Sequence, residues 1–178
     1  MRVLGVDPGT WRTGVGIIES EGNRYRLLHT SIIEIKAKPP IAQRLQQIYK
    51  SLSEIIREFR PGVMAIESVF FGKDVQAMVK IGEARACAML AASEFGIEVI
   101  EYPPARVKQA VSGNGRATKE QIQHMVKVLL SLQTAPKADG ADALAIAICH
   151  LHQSKTLAAL SDSNKKTYKI SRPLQIQN

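Results

Sequence analysis

Four acids in this chain have the types and positions that a cation site requires. Asp7 ends a short apolar run and stands directly before Pro8-Gly9. Glu67 ends a second apolar run, Val63-Met-Ala-Ile-Glu67. Asp139 and Asp142 sit one helical turn apart in Pro136-Lys-Ala-Asp-Gly-Ala-Asp-Ala-Leu-Ala145, a spacing that puts both carboxylates on one helix face. Carboxylates gathered in this way repel and raise one another's pKa values. A divalent cation removes that conflict, and Mg²⁺ prefers oxygen ligands while keeping some of its waters. Two such ions about 4 Å apart can clamp a scissile phosphate, one activating the attacking water and the other stabilising the leaving oxygen. Each acid taken singly has a plainer reading. Asp7 can open an Asx turn, Glu67 can pair with a lysine, and Asp139 and Asp142 can be ordinary helix-start acids. The set gains force only where a fold brings the four together.

The elements that must do so are legible from periodicity. Val3–Val6 reads as a short buried strand, and Thr13–Ile18 returns antiparallel after the turn at Pro8-Gly9. Tyr25–Ile35 reads as a third strand. After the break at Pro39-Pro40, apolar residues from Ile41 to Phe59 recur at helical spacing and stop before Pro61-Gly62. A strand over Val63–Glu67 follows, then an Ala-rich helix from Asp74 to Phe95 and a strand over Ile97–Tyr102. Gly82, inside the Ala-rich helix, predicts close packing there, since glycine costs about 1 kcal/mol against alanine in an exposed helix. Pro104 suits the first turn of a short helix to Val111. Thr118 and Gln121 form a capping box for a helix to about Leu130, and a last helix is expected from Ala138 to His152. Three meander strands followed by alternating helices and strands predict an α/β fold, a five-stranded mixed sheet with helices on both faces. Such sheets carry their chemistry at the C-terminal ends of central parallel strands. Asp7 and Glu67 both occupy such ends. Asp139 and Asp142 fall near a helix N-terminus, whose field supports negative charge.

Around these acids the chain is basic, with a net charge of +8 and a pI of about 9.7. That balance favours a polyanionic partner, so a phosphodiester is the substrate expected at the acids. The length of 178 residues suits one domain with its own core. Residues 1–155 are expected to form it. Residues 156–178 are expected to form a basic, flexible C-terminal tail, which either only solubilises or touches a nucleic-acid backbone. Cys87 and Cys149 lie in helical patterns and fit reduced thiols of an intracellular protein. Asp7 interrupts the first apolar run, so no signal segment is expected. The apolar stretches are too short to span a bilayer, and no membrane partner is expected.

Basic and aromatic residues cluster near the acids. Phe70 and Phe71 follow Glu67 in a chain with only 5% aromatic residues. Adjacent strand residues face opposite ways, so one ring can be core while the other stacks on distorted DNA; spacing does not choose between them. Lys73, Lys80 and Arg85 flank or lie in the Ala-rich helix, while Arg106, Lys108, Arg116 and Lys119 surround the Ser112-Gly-Asn-Gly115 loop. Groups of this kind bind the DNA backbone or simply form a solvated face. Lys119 could also assist at the phosphate or leaving group. Trp11 and Arg12 read as surface residues on the turn beside Asp7. His124, His150 and His152 make no zinc-like motif with Cys149.

With these motifs in place the chain resembles the RuvC-type Holliday junction resolvases of bacteria, endonucleases of ribonuclease-H-like fold, over roughly residues 1–155. The resemblance rests on Gly5-Val-Asp-Pro-Gly9 with Thr13-Gly14, Ala65-Ile-Glu-Ser-Val-Phe70, Tyr102-Pro-Pro-Ala-Arg-Val-Lys108, Thr118-Lys-Glu-Gln-Ile-Gln-His-Met125 and Ala138-Asp-Gly-Ala-Asp-Ala-Leu-Ala-Ile-Ala147. It implies that Asp7, Glu67, Asp139 and Asp142 are metal-binding catalytic acids holding one or two Mg²⁺ ions, with Mn²⁺ able to substitute. It also implies that Phe70 stacks near the junction centre and that Lys108 and Lys119 act near the active site. A homodimer would bind four-way junction DNA and make paired symmetric nicks leaving 5′-phosphate and 3′-hydroxyl ends, in homologous recombination and DNA repair. The implied partners are a junction-binding protein and a branch-migration helicase, in the bacterial cytoplasm. The residues alone leave two other readings open. One is a related nuclease acting on other structured nucleic acid, and the other is a catalytically silent junction-binding scaffold.

Overall fold

The computed structural model describes residues 1–22, 24–68 and 74–168, the side chains of the last stretch through residue 157. Five strands, β1 (Arg2–Asp7), β2 (Arg12–Glu21), β3 (Arg24–Glu34), β4 (Val63–Glu67) and β5 (Glu98–Tyr102), form one sheet in the order β3-β2-β1-β4-β5. The β3-β2-β1 meander is antiparallel, while β1 pairs with β4 and β4 with β5 in parallel. The helices are α1 (Ile41–Phe59), α2 (Val75–Glu94), α3 (Pro104–Ser112), α4 (Lys119–Leu129) and α5 (Ala138–Tyr168). The expected order of elements and the mixed sheet are therefore both present.

Strand parity decides which residues meet which helices, because successive side chains point to opposite faces. On β1 and β4, Leu4, Val6, Met64 and Ile66 enter a core with Ile48, Leu52 and Ile56 of α1 and Ala84, Ala88, Ala91 and Ala92 of α2. Val3, Val63 and Ala65 enter the opposite core, beneath α3, α4 and the Leu144–Leu151 stretch of α5. Asp7 and Glu67 continue the second series, so both point toward the face that carries α5. The register pairs Gly5 with Ala65 and Val6 with Ile66, and its next step sets Asp7 beside Glu67.

Local signals explain the helix starts. Thr118 and Gln121 form the expected capping box of α4, and the Asp74 side chain accepts from the Ala77 amide to cap α2. Pro104 opens α3 where its missing N–H costs nothing. Two expectations need correction. A Cβ at Gly82 would meet no atom within 4 Å, so Gly82 is not a site of close packing among the described residues; the buried alanines of α2 lie on another side of the helix. In addition, α5 runs past His152 to Tyr168. The sequence beyond His152 has no breaker before Pro173, so nothing local ends the helix sooner.

Candidate active site

The close approach of α5 to the sheet is what assembles the acids. Gly5 on β1 and Gly14 and Gly16 on β2 lack the side chains that would block it. A Cβ at Gly5 would fall 2.0 Å from the Ala143 carbonyl oxygen, and one at Gly14 would fall 2.0 Å from the Asp139 carbonyl oxygen. The helix backbone thus rests directly on the strands, with Gly140 against Thr30. The turn carrying Asp7 is held from within. The buried Thr13 hydroxyl donates to the Gly9 carbonyl at 2.8 Å, and the Ile35 amide donates to the Trp11 carbonyl at 2.9 Å.

Asp7, Glu67 and Asp142 line one cleft of about 180 Å³ together with Lys108 and Lys119. Apolar side chains of α3, α4 and α5, among them Val107, Ile122 and Ile146, form its remaining walls. Burial, reinforced by the charges of Asp142, Glu67 and Asp139, pushes the Asp7 carboxyl up from 3.8 to about 7, with Lys119 opposing. Glu67 is also raised, by burial and then by Asp142, against Lys108 and Lys119. Asp142 is raised by burial and by Asp139, while Lys119 and Lys108 pull it back; Lys119 Nζ lies 3.5 Å from its Oδ2. Asp139 lies outside the cleft lining. Its Oδ2 is 2.8 Å from Arg12 Nε, yet this buried oxygen has no aligned hydrogen-bond donor.

These residues fit a hard divalent cation by donor chemistry. The cleft offers carboxylate oxygens, one acid is driven toward its neutral form by burial and by three other acids, and a buried carboxylate oxygen lacks a hydrogen bond. Among the described residues, no three acid, histidine or cysteine side chains already stand in ion-holding geometry. Two of the acids are instead engaged by basic groups: Arg12 pairs with Asp139 and Lys119 with Asp142.

The expected DNA-binding residues are spread more widely. Lys108 and Lys119 reach the acid cleft, and Arg116 is exposed on the loop between α3 and α4. Lys80 lies in a separate groove with Ile41, Arg44, Val75 and Val79. Arg85 is largely buried, donating from Nε to the Glu67 carbonyl at 3.2 Å and pairing with Glu101; here it braces the end of β4. Phe70 and Lys73, with Phe71, lie outside the described residues. Sequence reasoning missed three features of the site: the glycine face that seats α5, the Thr13 pin and the pairing of Arg12 with Asp139. The first had a signal, since Gly14 and Gly16 are two apart on a strand and so share a face.

Comparison with known proteins bears on the family of the chain. The family model described as crossover junction endodeoxyribonuclease RuvC matches residues 3–150. A protein of that name from Desulforamulus reducens is 48% identical over 157 residues, covering 88% of this chain and 96% of the relative. The solved Thermus thermophilus RuvC in complex with a Holliday junction substrate superposes with a TM-score of 0.83 at 35% identity, covering 88% of this chain and 96% of that one. The yeast mitochondrial Holliday junction resolvase, at 14% identity and a TM-score of 0.66 over 93% of this chain and 85% of its own, shares the fold. With its glycine-seated helix, its acid cleft and a match across most of its length, the chain belongs to the RuvC family of crossover junction endodeoxyribonucleases.

Proposed function

We propose that this protein is a Mg²⁺-dependent endonuclease that resolves four-way DNA junctions by paired symmetric nicks leaving 5′-phosphate and 3′-hydroxyl ends. The observation that carries the reading is the single cleft in which Asp7, Glu67 and Asp142 meet Lys108 and Lys119. Asp7, Glu67, Asp142 and, once turned from Arg12, Asp139 would hold the ions, with Mn²⁺ able to replace Mg²⁺. When bound, the ions supply an activated water and charge neutralisation at the scissile phosphate. The chain's own groups do the rest. Lys108 and Lys119 draw the phosphate toward the acids and fix its approach. The apolar walls limit water, and burial keeps Asp7 from being wholly ionised near neutrality in the absence of a cation. Phe70, Lys73, Lys80 and Arg116 are assigned to the DNA surface, while Arg85 contributes by holding Glu67.

A two-fold junction needs two active sites facing strands of like polarity, and α2 offers the surface for a second copy. Val75, Val79 and Leu90 are 67%, 56% and 62% exposed, and with Gly82 and Ala86 they make one stripe at helical spacing. In the same proposal, residues 1–155 are the nuclease domain and 156–178 a basic tail. A branch-migration helicase and a junction-binding protein are the partners, and the bacterial cytoplasm is the location. No helix among the described residues is long and apolar enough to cross a membrane. The test is incubation with a synthetic four-way junction and Mg²⁺, read on a denaturing gel. Paired nicks at symmetric positions, sealed by ligase, are expected. Binding without nicks would contradict the enzymatic reading and favour a silent scaffold, and preferential cutting of other structured nucleic acid would overturn the substrate.

A further inference from the structure

Two of the four acids carry a basic partner, and the two pairs differ in kind. Lys119 lines the cleft itself, so its contact with Asp142 keeps that acid among the others. Neither Arg12 nor Asp139 lines the cleft, and the two pair beside it, close enough that the Asp139 charge still acts on Asp7 and Asp142. The strand register fixes this arrangement. Arg12, Gly14 and Gly16 are two apart on β2 and share the face that receives α5. Gly14 lies under the Asp139 carbonyl and Gly16 under Leu144, while Arg12 at the strand start reaches the Asp139 side chain. The guanidinium is held loosely. The Arg12 side chain is 52% exposed, and the buried Asp139 Oδ2 receives charge from it without an aligned hydrogen bond. A contact of that kind is weak and exchangeable, and it leaves the buried Asp139 Oδ2 without a hydrogen bond.

We propose that Arg12 is a tethered counter-ion for Asp139 that exchanges with the divalent cation. Without the ion, Arg12 neutralises Asp139 at the edge of the cleft. With the ion, Asp139 swings into the cleft and Arg12 is released to solvent, where its fork is free for a phosphate oxygen. This rests on the metal-centre reading above and adds a residue that opposes metal binding instead of supporting it.

The test is Mn²⁺ binding to the full chain without DNA, with free Mn²⁺ followed by electron paramagnetic resonance. Arg12→Gln removes the competing cation and is expected to bind Mn²⁺ about two- to five-fold tighter, the range set by a half-exposed ion pair. Arg12→Lys keeps the charge without the fork and should tighten binding by less. In an Asp139→Asn background, Arg12→Gln should change nothing. If Arg12→Gln does not fold, as judged by circular dichroism, the Arg12→Lys comparison decides. Unchanged or weaker Mn²⁺ binding in the folded Arg12 variant, with wild-type binding intact, overturns the exchange alone. A wild-type chain showing no Mn²⁺ binding sensitive to Asp7→Asn overturns the metal centre and the exchange together.

Discussion

Replacing Asp7 with Asn should make the metal-free protein more stable at pH 8 while abolishing its cleavage. Burial and three neighbouring acids raise the Asp7 carboxyl from 3.8 to about 7. Below about pH 4 the folded and unfolded chains both hold this proton, and the group carries no penalty. Between pH 4 and 7 the unfolded chain has released the proton while the folded chain keeps it, so stability falls as pH rises. Above pH 7 the loss is complete. At about 1.4 kcal/mol per pKa unit, a shift of this size corresponds to on the order of 4 kcal/mol. Relaxation and water entry reduce such figures, so ~2–4 kcal/mol is expected. Asn keeps the size of the side chain and cannot ionise, so it should recover most of this at pH 8 and roughly a third of it at pH 5, where the unfolded chain has been releasing the proton for only about one pH unit. The assay is urea denaturation in EDTA at both pH values, for wild type and variant, with junction nicking measured in parallel. Added Mg²⁺ should stabilise the wild type at pH 8 and much less so at pH 5 or in the variant. Equal midpoints for both proteins at pH 8, or a variant gain that is as large at pH 5, would refute the reasoning.

Three other substitutions probe the same architecture. Gly14→Ala places a Cβ 2.0 Å from the Asp139 carbonyl oxygen; it should cost about 1–3 kcal/mol, the range for overpacking, and abolish nicking while leaving junction binding, seen by thermal denaturation and gel shift. Gly82→Ala meets open space and should stabilise α2 by up to about 1 kcal/mol in urea denaturation. Because Gly82 lies on the stripe assigned to a second copy, the same change should weaken dimerisation in analytical ultracentrifugation. Lys119→Gln removes the charge that holds Asp142 down, so the rising limb of the pH–rate profile for nicking should move to higher pH.

The sequence carried the sheet, the helix order and the four acids, because periodicity, capping and Pro-Gly punctuation are local. Thr118 with Gln121 announces α4, and Pro104 announces α3, without reference to the rest of the chain. Side-chain assignments that depend on distant neighbours were not legible. Gly82 looks like a packing glycine because α2 is rich in small residues, yet the buried alanines and the exposed stripe occupy different sides of that helix. Arg12 looks like a surface residue because nothing near it in sequence is acidic except Asp7. Its partner lies at the start of α5, brought there by glycines on β1 and β2. The contacts of Arg85 were not legible for the same reason: it is partly buried, and its partners, the Glu67 carbonyl and Glu101, come from other elements. The relative parity of β1 and β4 is likewise set by their pairing, since both strands are apolar on each face; the register of Gly5 with Ala65 and Val6 with Ile66 is what puts Asp7 and Glu67 on one face.

The most direct test of the acid cleft as a metal centre is a crystal structure of the protein soaked in Mn²⁺, with the anomalous difference map computed at the manganese edge. One or two peaks are predicted among Asp7, Glu67 and Asp142, about 2.0–2.2 Å from their carboxylate oxygens, as suits a small hard cation, with Asp139 turned inward from Arg12. An empty cleft at saturating Mn²⁺, or peaks held only by residues outside it, would contradict the metal centre.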